Sequence, residues 1–329
     1  MDNNKNELDP ISIEIISNGL RSITDECFVA LTRSSYSTNI KERKDHSIAI
    51  VDKQGRLVVQ AAMTIPLHIA SMRGLMECIL EKFEGNIDEG DVFVANDPHT
   101  AGGTHLPDIN YAMPIFVDGE IVAFSCNIAH HADIGGMVPG SMAGGMSEIY
   151  QEGLRIPVVK LFRKGKLQQD IMDILLLNVR VPSERRGDHN AQIAACRLGA
   201  RRLLEVIGEN GLENVLSAFD QIISRTARRM RLAISEIPSG SYSFKDVMDG
   251  DGIDTANIPI HLTINVSGDT INLDFSGTSQ QVTGNINTTF NAVQASACYA
   301  LIAALDSEMP SNQGILDVVE INIEPGTLL

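Results

Sequence analysis

A largely apolar run over residues 109–128, broken at Asp118-Gly119, constrains this chain more than any other segment. An Asp-Gly pair between alternating apolar residues is a strong signal for a tight β-hairpin. Polar clusters flank the run on both sides: Asn96-Asp97-Pro98-His99 through His105-Leu106-Pro107-Asp108 before it, and His130-His131-Ala132-Asp133-Ile134-Gly135-Gly136 after it. Four of the eight histidines lie in these clusters. Closing the hairpin brings both clusters to one end of a sheet, which is how sequence-distant ligands meet. With Val117 opposite Glu120, His130 falls opposite Pro107 and Asp108 opposite Ala129. Strict alternation would then point Asp108 and His130 to opposite faces. A one-residue bulge would restore a common face, and Pro114, which cannot donate to the ladder, marks a place for it. Pro107 keeps Leu106 out of the helical region, so His105 and Asp108 are expected in a loop just before the strand. Mixed imidazole and carboxylate donors at His105, Asp108 and His130 suit a divalent ion such as Zn²⁺, Mn²⁺ or Fe²⁺. Such an ion can polarise a carbonyl or activate water.

The remaining pattern predicts an α+β protein. Asp9-Pro10 is a cap followed by a first-turn proline, and Ile13, Ile16, Leu20, Ile23, Cys27 and Leu31 recur at helical spacing to about residue 34. A hairpin is expected over 47–51 and 56–60, a helix from Pro66 to about Gly85, and a strand over 91–95. Helices follow over 168–180 and 190–235. After Pro238 the texture becomes β-rich, with strands at 258–266, 270–275 and 318–323 around a helix at 290–305. The predicted division is a metal-site region of mixed helices and hairpins, 1–236, and a β-rich region, 237–329, that forms part of a larger domain. Because the sequence stops one turn after the strand at 318–323, a partner chain is expected to complete that sheet, or the sequence to belong to something longer.

Composition narrows the partners. A formal charge of −16 argues against nucleic acid, whose phosphates require clustered Lys and Arg. The longest apolar runs, such as 297–305, are too short to span a bilayer, and the polar N-terminus is not a secretory signal. Five cysteines without CxxC spacing read as buried apolar residues of a reducing compartment, hence a cytoplasmic protein. Cys126 is read the same way because Phe124 and Ile128 neighbour it. Gly135, Gly136, Gly140, Gly144 and Gly145 match no phosphate-binding motif and are read as a mobile or tightly turned loop beside the site. Asp249-Gly250-Asp251-Gly252 lacks the spacing of a calcium loop and is read as a solvated turn. Ser141 and Ser147 lack the strand-to-helix elbow of a serine nucleophile.

Several segments in order, Tyr36-Ser37-Thr38-Asn39-Ile40-Lys41-Glu42-Arg43-Lys44-Asp45, Asn96-Asp97-Pro98, Gly102-Gly103-Thr104-His105-Leu106-Pro107-Asp108, Ser147-Glu148-Ile149-Tyr150-Gln151-Glu152-Gly153-Leu154-Arg155-Ile156-Pro157 and Asp274-Phe275-Ser276-Gly277-Thr278-Ser279, resemble the hydantoinase B/oxoprolinase family. The resemblance implies a B-type subunit that opens a hydantoin or lactam after a larger, ATP-binding A-type partner has activated the cyclic amide by phosphorylation. In the related acetone and acetophenone carboxylases a similar metal-bearing chain handles a ketone. The resemblance further implies Asp45, His105, Asp108 and His130 as metal ligands. Asp45 enters only because it ends the Lys41-Glu42-Arg43-Lys44-Asp45 motif. His131, Asp133 and His99 become candidates to support those ligands or to face the substrate, with a structural role as the alternative. Members of the family usually continue well beyond a segment like Glu324-Pro325-Gly326-Thr327. A separate C-terminal half, or an assembly role without catalysis, therefore stands beside the enzymatic expectation.

Overall fold

Asp9 begins the first helix as the sequence predicts, in a computed structural model that describes residues 8–65 and 68–329. Its carboxylate accepts from the backbone N–H of Ile11 and Ser12, at 3.0 and 3.1 Å, and Pro10 supplies the first turn of α1, Pro10–Ser34. The expected apolar stripe is the buried face of that helix. A single turn, α2 (Thr38–Lys41), leads into the hairpin of β1 (His46–Asp52) and β2 (Leu57–Gln60). Helix α3 spans Ile69–Lys82; its expected start at Pro66 lies outside the described residues. Next come β3 (Val92–Ala95) and the long pair β4 (Asp108–Val117) and β5 (Glu120–His130). The turn α4 (Ile149–Glu152), the hairpin β6 (Val159–Arg163) and β7 (Lys166–Leu167), and α5 (Gln169–Leu177) lead to two long helices. These are α6, Pro182–Asn210, and α7, Leu212–Ser235. Helix α6 therefore starts well before the expected residue 190. Its first two turns bury Arg185, Asp188 and His189, and a polar buried face leaves no apolar periodicity to read.

The first seven strands form an antiparallel sheet in the order β2-β1-β5-β4-β3-β6-β7. Asp118 and Gly119 both take positive φ, 50° and 84°, as a two-residue hairpin turn requires. Val117 pairs with Glu120 and Phe116 with Ile121, but Ile115 pairs with Ala123, so Val122 is the bulged residue. Val122 and Ala123 both join the apolar cluster facing α1, α6 and α7. Beyond the bulge the register is shifted by one, and Asp108 lies directly opposite His130. The shift falls beside Pro114, where the sequence placed it.

Both faces of this sheet are covered. Ile48, Ile50, Ile115 and Ala129 pack with α1, α6 and α7. On the other face Ala49, Val51, Ala112, Phe124, Cys126 and Ile128 pack against α3. The same cluster takes in Val266, Ile271 and Leu273 of a second sheet, built from β8 (Gly240–Gly250), β9 (Ala256–Ser267), β10 (Thr270–Asp274) and, beyond α8 (Phe290–Leu305) and α9 (Gln313–Leu316), β11 (Val319–Asn322). Its order is β11-β10-β9-β8, and β10 and β11 run parallel. One apolar cluster thus contains residues from both sides of position 236. All five cysteines are free; Cys126 is fully buried, and burial pushes its thiol far up. Among the described residues no helix is long and apolar enough to cross a membrane.

The acidic segment after β8 corrects one expectation. Asp251 is buried, not solvated: its carboxylate accepts from the N–H groups of Ile253, Asp254 and Thr255, and from Gly284 at 2.9 Å. It ties the β8–β9 turn to the loop 281–289. Two contacts meet at the first His/Asp cluster: Gly102 lies on Gly74 of α3, and the side chain of Asn291, on that loop's neighbour α8, donates to the Gly102 carbonyl at 3.1 Å. Gly102 sits at φ 72°, and a Cβ there would overlap the Gly74 backbone. Gly102→Ala is therefore predicted to cost about 1–3 kcal/mol in urea unfolding. Gly144→Ala, where a Cβ meets nothing within 4 Å, should stay within about 0.5 kcal/mol. Equal midpoints for the two variants would contradict this packing.

Candidate metal centre

Strand parity assembles the site. Along β5 the even positions 124, 126 and 128 face α3, and His130 continues them. On β4 Ala112 faces the same way, and Asp108 shares its parity. Ala49 and Val51 set the corresponding side of β1, whose parity extends back to Asp45. Asp45 is fixed there by its backbone, donating to Asn39 O at 2.9 Å and accepting from His130 N at 3.0 Å. His105 is held in the loop before β4, where Asn96 donates to the Leu106 carbonyl at 2.8 Å and Asp108 N reaches His105 O at 3.2 Å. The four residues that the family resemblance named thus gather at one end of one sheet face.

His68 joins them unannounced. It immediately precedes the first turn of α3 and is buried, with Nδ1 2.7 Å from Ser47 Oγ. Its Nε2 lies 3.5 Å from Asp108 Oδ2 and 4.0 Å from Asp45 Oδ1. Asp108 Oδ2 also accepts from Thr104 Oγ1 at 2.6 Å and lies 3.2 Å from His105 Nε2. The donor atoms form two overlapping groups, His105–Asp108–His130 and Asp45–His68–Asp108, each within 4.8 Å throughout. The other oxygen of Asp108, Oδ1, is buried with no hydrogen-bond partner. A buried carboxylate with one oxygen unpartnered, on a residue grouped with three imidazoles and a second carboxylate, is the arrangement expected around a cation. The nitrogen and oxygen donors fit the Zn²⁺, Mn²⁺ or Fe²⁺ that the sequence suggested.

Charge coupling within the cluster is strong. Burial alone would raise the Asp108 carboxyl, but the His105 and His68 imidazoles hold it well below the usual carboxylate range. Burial likewise disfavours charge on His105, yet the Asp108 carboxylate outweighs it and the imidazole lies above its ordinary value. His130 goes the other way, lowered by burial.

With this geometry in view, comparison with known proteins is decisive about kinship. The family model described as hydantoinase B/oxoprolinase matches residues 9–329. The chain belongs to the hydantoinase B/oxoprolinase family. It is 34% identical to the B component of a putative D-/L-hydantoinase of Pseudomonas sp. (strain NS671), covering 98% of this chain and 57% of that protein. It is also 34% identical to a 5-oxoprolinase of Dictyostelium discoideum, covering 98% of this chain and 26% of the other. The crystal structure of ATP-dependent caprolactamase from Pseudomonas jessenii superposes with a TM-score of 0.91 at 30% identity, over 98% of this chain and 55% of the other. An acetone carboxylase structure, at 21% identity and TM-score 0.88, shares the fold. The chain spans about half the length, or less, of the curated relatives it matches.

The family motifs outside the donor cluster turn out to brace it. Asn96 accepts from Ile156 N at 2.6 Å and donates to Leu154 O at 2.9 Å. Asp97 accepts from Thr100 N and pairs with Arg155 at 2.5 Å. Of the three supporting candidates, two have structural occupations. His131 follows His130 and so points to the opposite face, fully buried against Gln192 Oε1 at 2.8 Å; burial pushes it down to about 4. Asp133 spends its oxygens on the N–H groups of Gly135, Gly140 and Arg180 and on the Arg180 guanidinium. The glycine-rich loop is thus tightly turned, with Gly135, Gly136, Gly140 and Gly145 at positive φ. His99 is exposed and stands in a cleft of about 940 Å³ beside the donor cluster. His105, Met142, Glu152 and the loop 281–289 wall the same cleft. Burial raises the Glu152 carboxyl there, against the pull of His105 and His99.

Protons and a cation compete for imidazole nitrogen, and His105, held above its ordinary value, retains its proton to higher pH than a free histidine. Zn²⁺ binding by the purified chain is therefore predicted to weaken steadily between about pH 8 and pH 6, with proton release in calorimetry. An affinity flat over that range would contradict the assigned donors.

Proposed function

We propose that this chain is the cation-bearing, ring-opening part of an ATP-dependent cyclic-amide hydrolase of hydantoinase or lactamase type. Asp45, His105, Asp108 and His130 hold a divalent ion beside the cleft, which His105 lines. The observation that carries this reading is the unpartnered, buried Asp108 Oδ1 inside the donor cluster. When bound, the ion supplies Lewis acidity toward a carbonyl or a water molecule. The residues of the chain do the rest. Thr104 fixes the Asp108 carboxylate from one side. His105, partly exposed, and His99 and Glu152 on the cleft wall meet the ring from solvent. Asn285, donating to the Ala143 carbonyl at 3.0 Å, and Asn291 hold the 281–289 region along the cleft.

The names of the relatives support the division of labour. A hydantoinase named as a B component and a caprolactamase named as a beta component imply partner chains, and the solved caprolactamase is described as ATP-dependent. The sequence carries no glycine-rich phosphate motif, so ATP binding is assigned to an A-type partner, and the working form to a cytoplasmic hetero-oligomer. The hydrolase reading is preferred to a ketone carboxylase because sequence identity to the hydantoinase, oxoprolinase and caprolactamase proteins is 30% or more.

Metal analysis of the purified chain should find about one divalent ion per chain, lost in Asp108→Ala. In a complex reconstituted with an A-type partner, His105→Ala should reduce ATP-dependent opening of hydantoin or caprolactam to background. A folded, metal-free wild-type protein, or unchanged turnover by His105→Ala, would refute the proposal.

A further inference from the structure

His68 Nε2 sits at unusual distances from its neighbours. At 3.5 Å from Asp108 Oδ2 and 4.0 Å from Asp45 Oδ1, it is too far from either oxygen for a good hydrogen bond. Asp108 Oδ2 is already served, at shorter range, by Thr104 Oγ1 and His105 Nε2. Yet His68 is only 4% exposed, so no water-filled surface explains a loosely held imidazole. Two donor atoms that share an ion at about 2.1 Å lie roughly 3.0–4.2 Å apart, according to the angle between them. Both separations fall in that interval. His68 Nε2 therefore stands from each carboxylate at the spacing of ligands around a common cation, and donor atoms of the three residues lie within 4.8 Å of one another.

The far side of the ring is prepared for this. Ser47 Oγ lies 2.7 Å from His68 Nδ1, and Ser47 is itself fully buried on β1, on the same face as Asp45. With Ser47 accepting Nδ1–H, Nε2 is free to give its lone pair to a cation held between the two carboxylates.

We infer that His68 is itself a ligand of the cation site, that it joins Asp45 to Asp108 around the ion, and that Ser47 is its positioning residue. This rests on the cation proposed above, and it assigns a donor that neither the sequence motifs nor the hairpin geometry supplied. His68 belongs to the N-terminal end of α3, so the ion also ties that helix to the end of the sheet.

Zn²⁺ affinity of the purified chain, measured by competition with a chromophoric chelator, separates the possibilities. His68→Ala and His68→Gln should both bind Zn²⁺ more weakly by over roughly 100-fold, beyond the 10–100-fold that losing a supporting hydrogen bond costs. Ser47→Ala should fall within that lower range. Glutamine retains an N–H donor, so near-wild-type affinity in His68→Gln would overturn the inference. A wild-type chain that binds no Zn²⁺ would instead overturn the cation proposal on which it rests. If the variants do not fold, nitrogen NMR of the wild-type protein decides: in zinc-loaded protein His68 should carry its proton on Nδ1, and its Nε2 signal should have moved from the metal-free position. In zinc-loaded protein, a proton on Nε2 or an unmoved Nε2 signal would overturn the ligand assignment.

Discussion

A one-residue slip in the ladder between β4 and β5 decides what this protein can present at the end of its main sheet. Side chains alternate strictly along a strand, so moving the register by one exchanges the two faces. Without the bulge at Val122, Asp108 and His130 would point away from each other. With it, they are direct partners on the α3 side. The extra residue is absorbed where Pro114 already weakens the ladder, and Val122 and Ala123 both turn into the cluster beneath α1. The site is thus a consequence of sheet geometry, and the loops only complete it.

Completing it requires a dense polar scaffold in the interior. Asp188 on α6, paired with Arg185 at 3.0 Å, accepts from the backbone of Tyr36 and Ser37 and from the Ser37 hydroxyl. Ser37 Oγ in turn accepts from Ala132 N at 2.9 Å. One buried carboxylate therefore clamps the segment leading to Asp45 and the segment leaving His130. Leaving such a charge unpaired costs several kcal/mol, so the connections fix both segments strongly. On the opposite side of the sheet the Gly74–Gly102 contact and Asn291 bring α8 and its preceding loop to the cleft. The loop between the second sheet and α8 thereby contributes a wall to a site whose donors gather at the end of the first.

Much of this was legible in the chain itself. Asp118-Gly119 announced the hairpin, the mismatch in alternation announced the bulge, and Asp9-Pro10 announced α1. Other parts were hidden for physical reasons. The start of α6 has a polar buried face, so its periodicity carries no apolar signal. His68 stands alone in sequence, and only the docking of α3 against the sheet brings it to Asp108. Asp45 has no local pattern of its own and was reached through family resemblance. His131 and Asp133 share a cluster with His130, but a strand sends neighbours to opposite faces, and sequence proximity was a poor guide to their surroundings. Asp251 looked solvated because its four backbone donors come partly from Gly284, a residue distant in sequence.

Everything proposed for the site turns on whether a cation occupies the open side of Asp108. Crystals of the chain loaded with one equivalent of Zn²⁺, measured on both sides of the zinc absorption edge, answer this directly. An anomalous peak is predicted about 2.0–2.2 Å from a carboxylate oxygen of Asp108, with His105 and His130 nitrogens at the same range. Zinc peaks confined to surface histidines, with Asp108 Oδ1 still facing no ion, would contradict it.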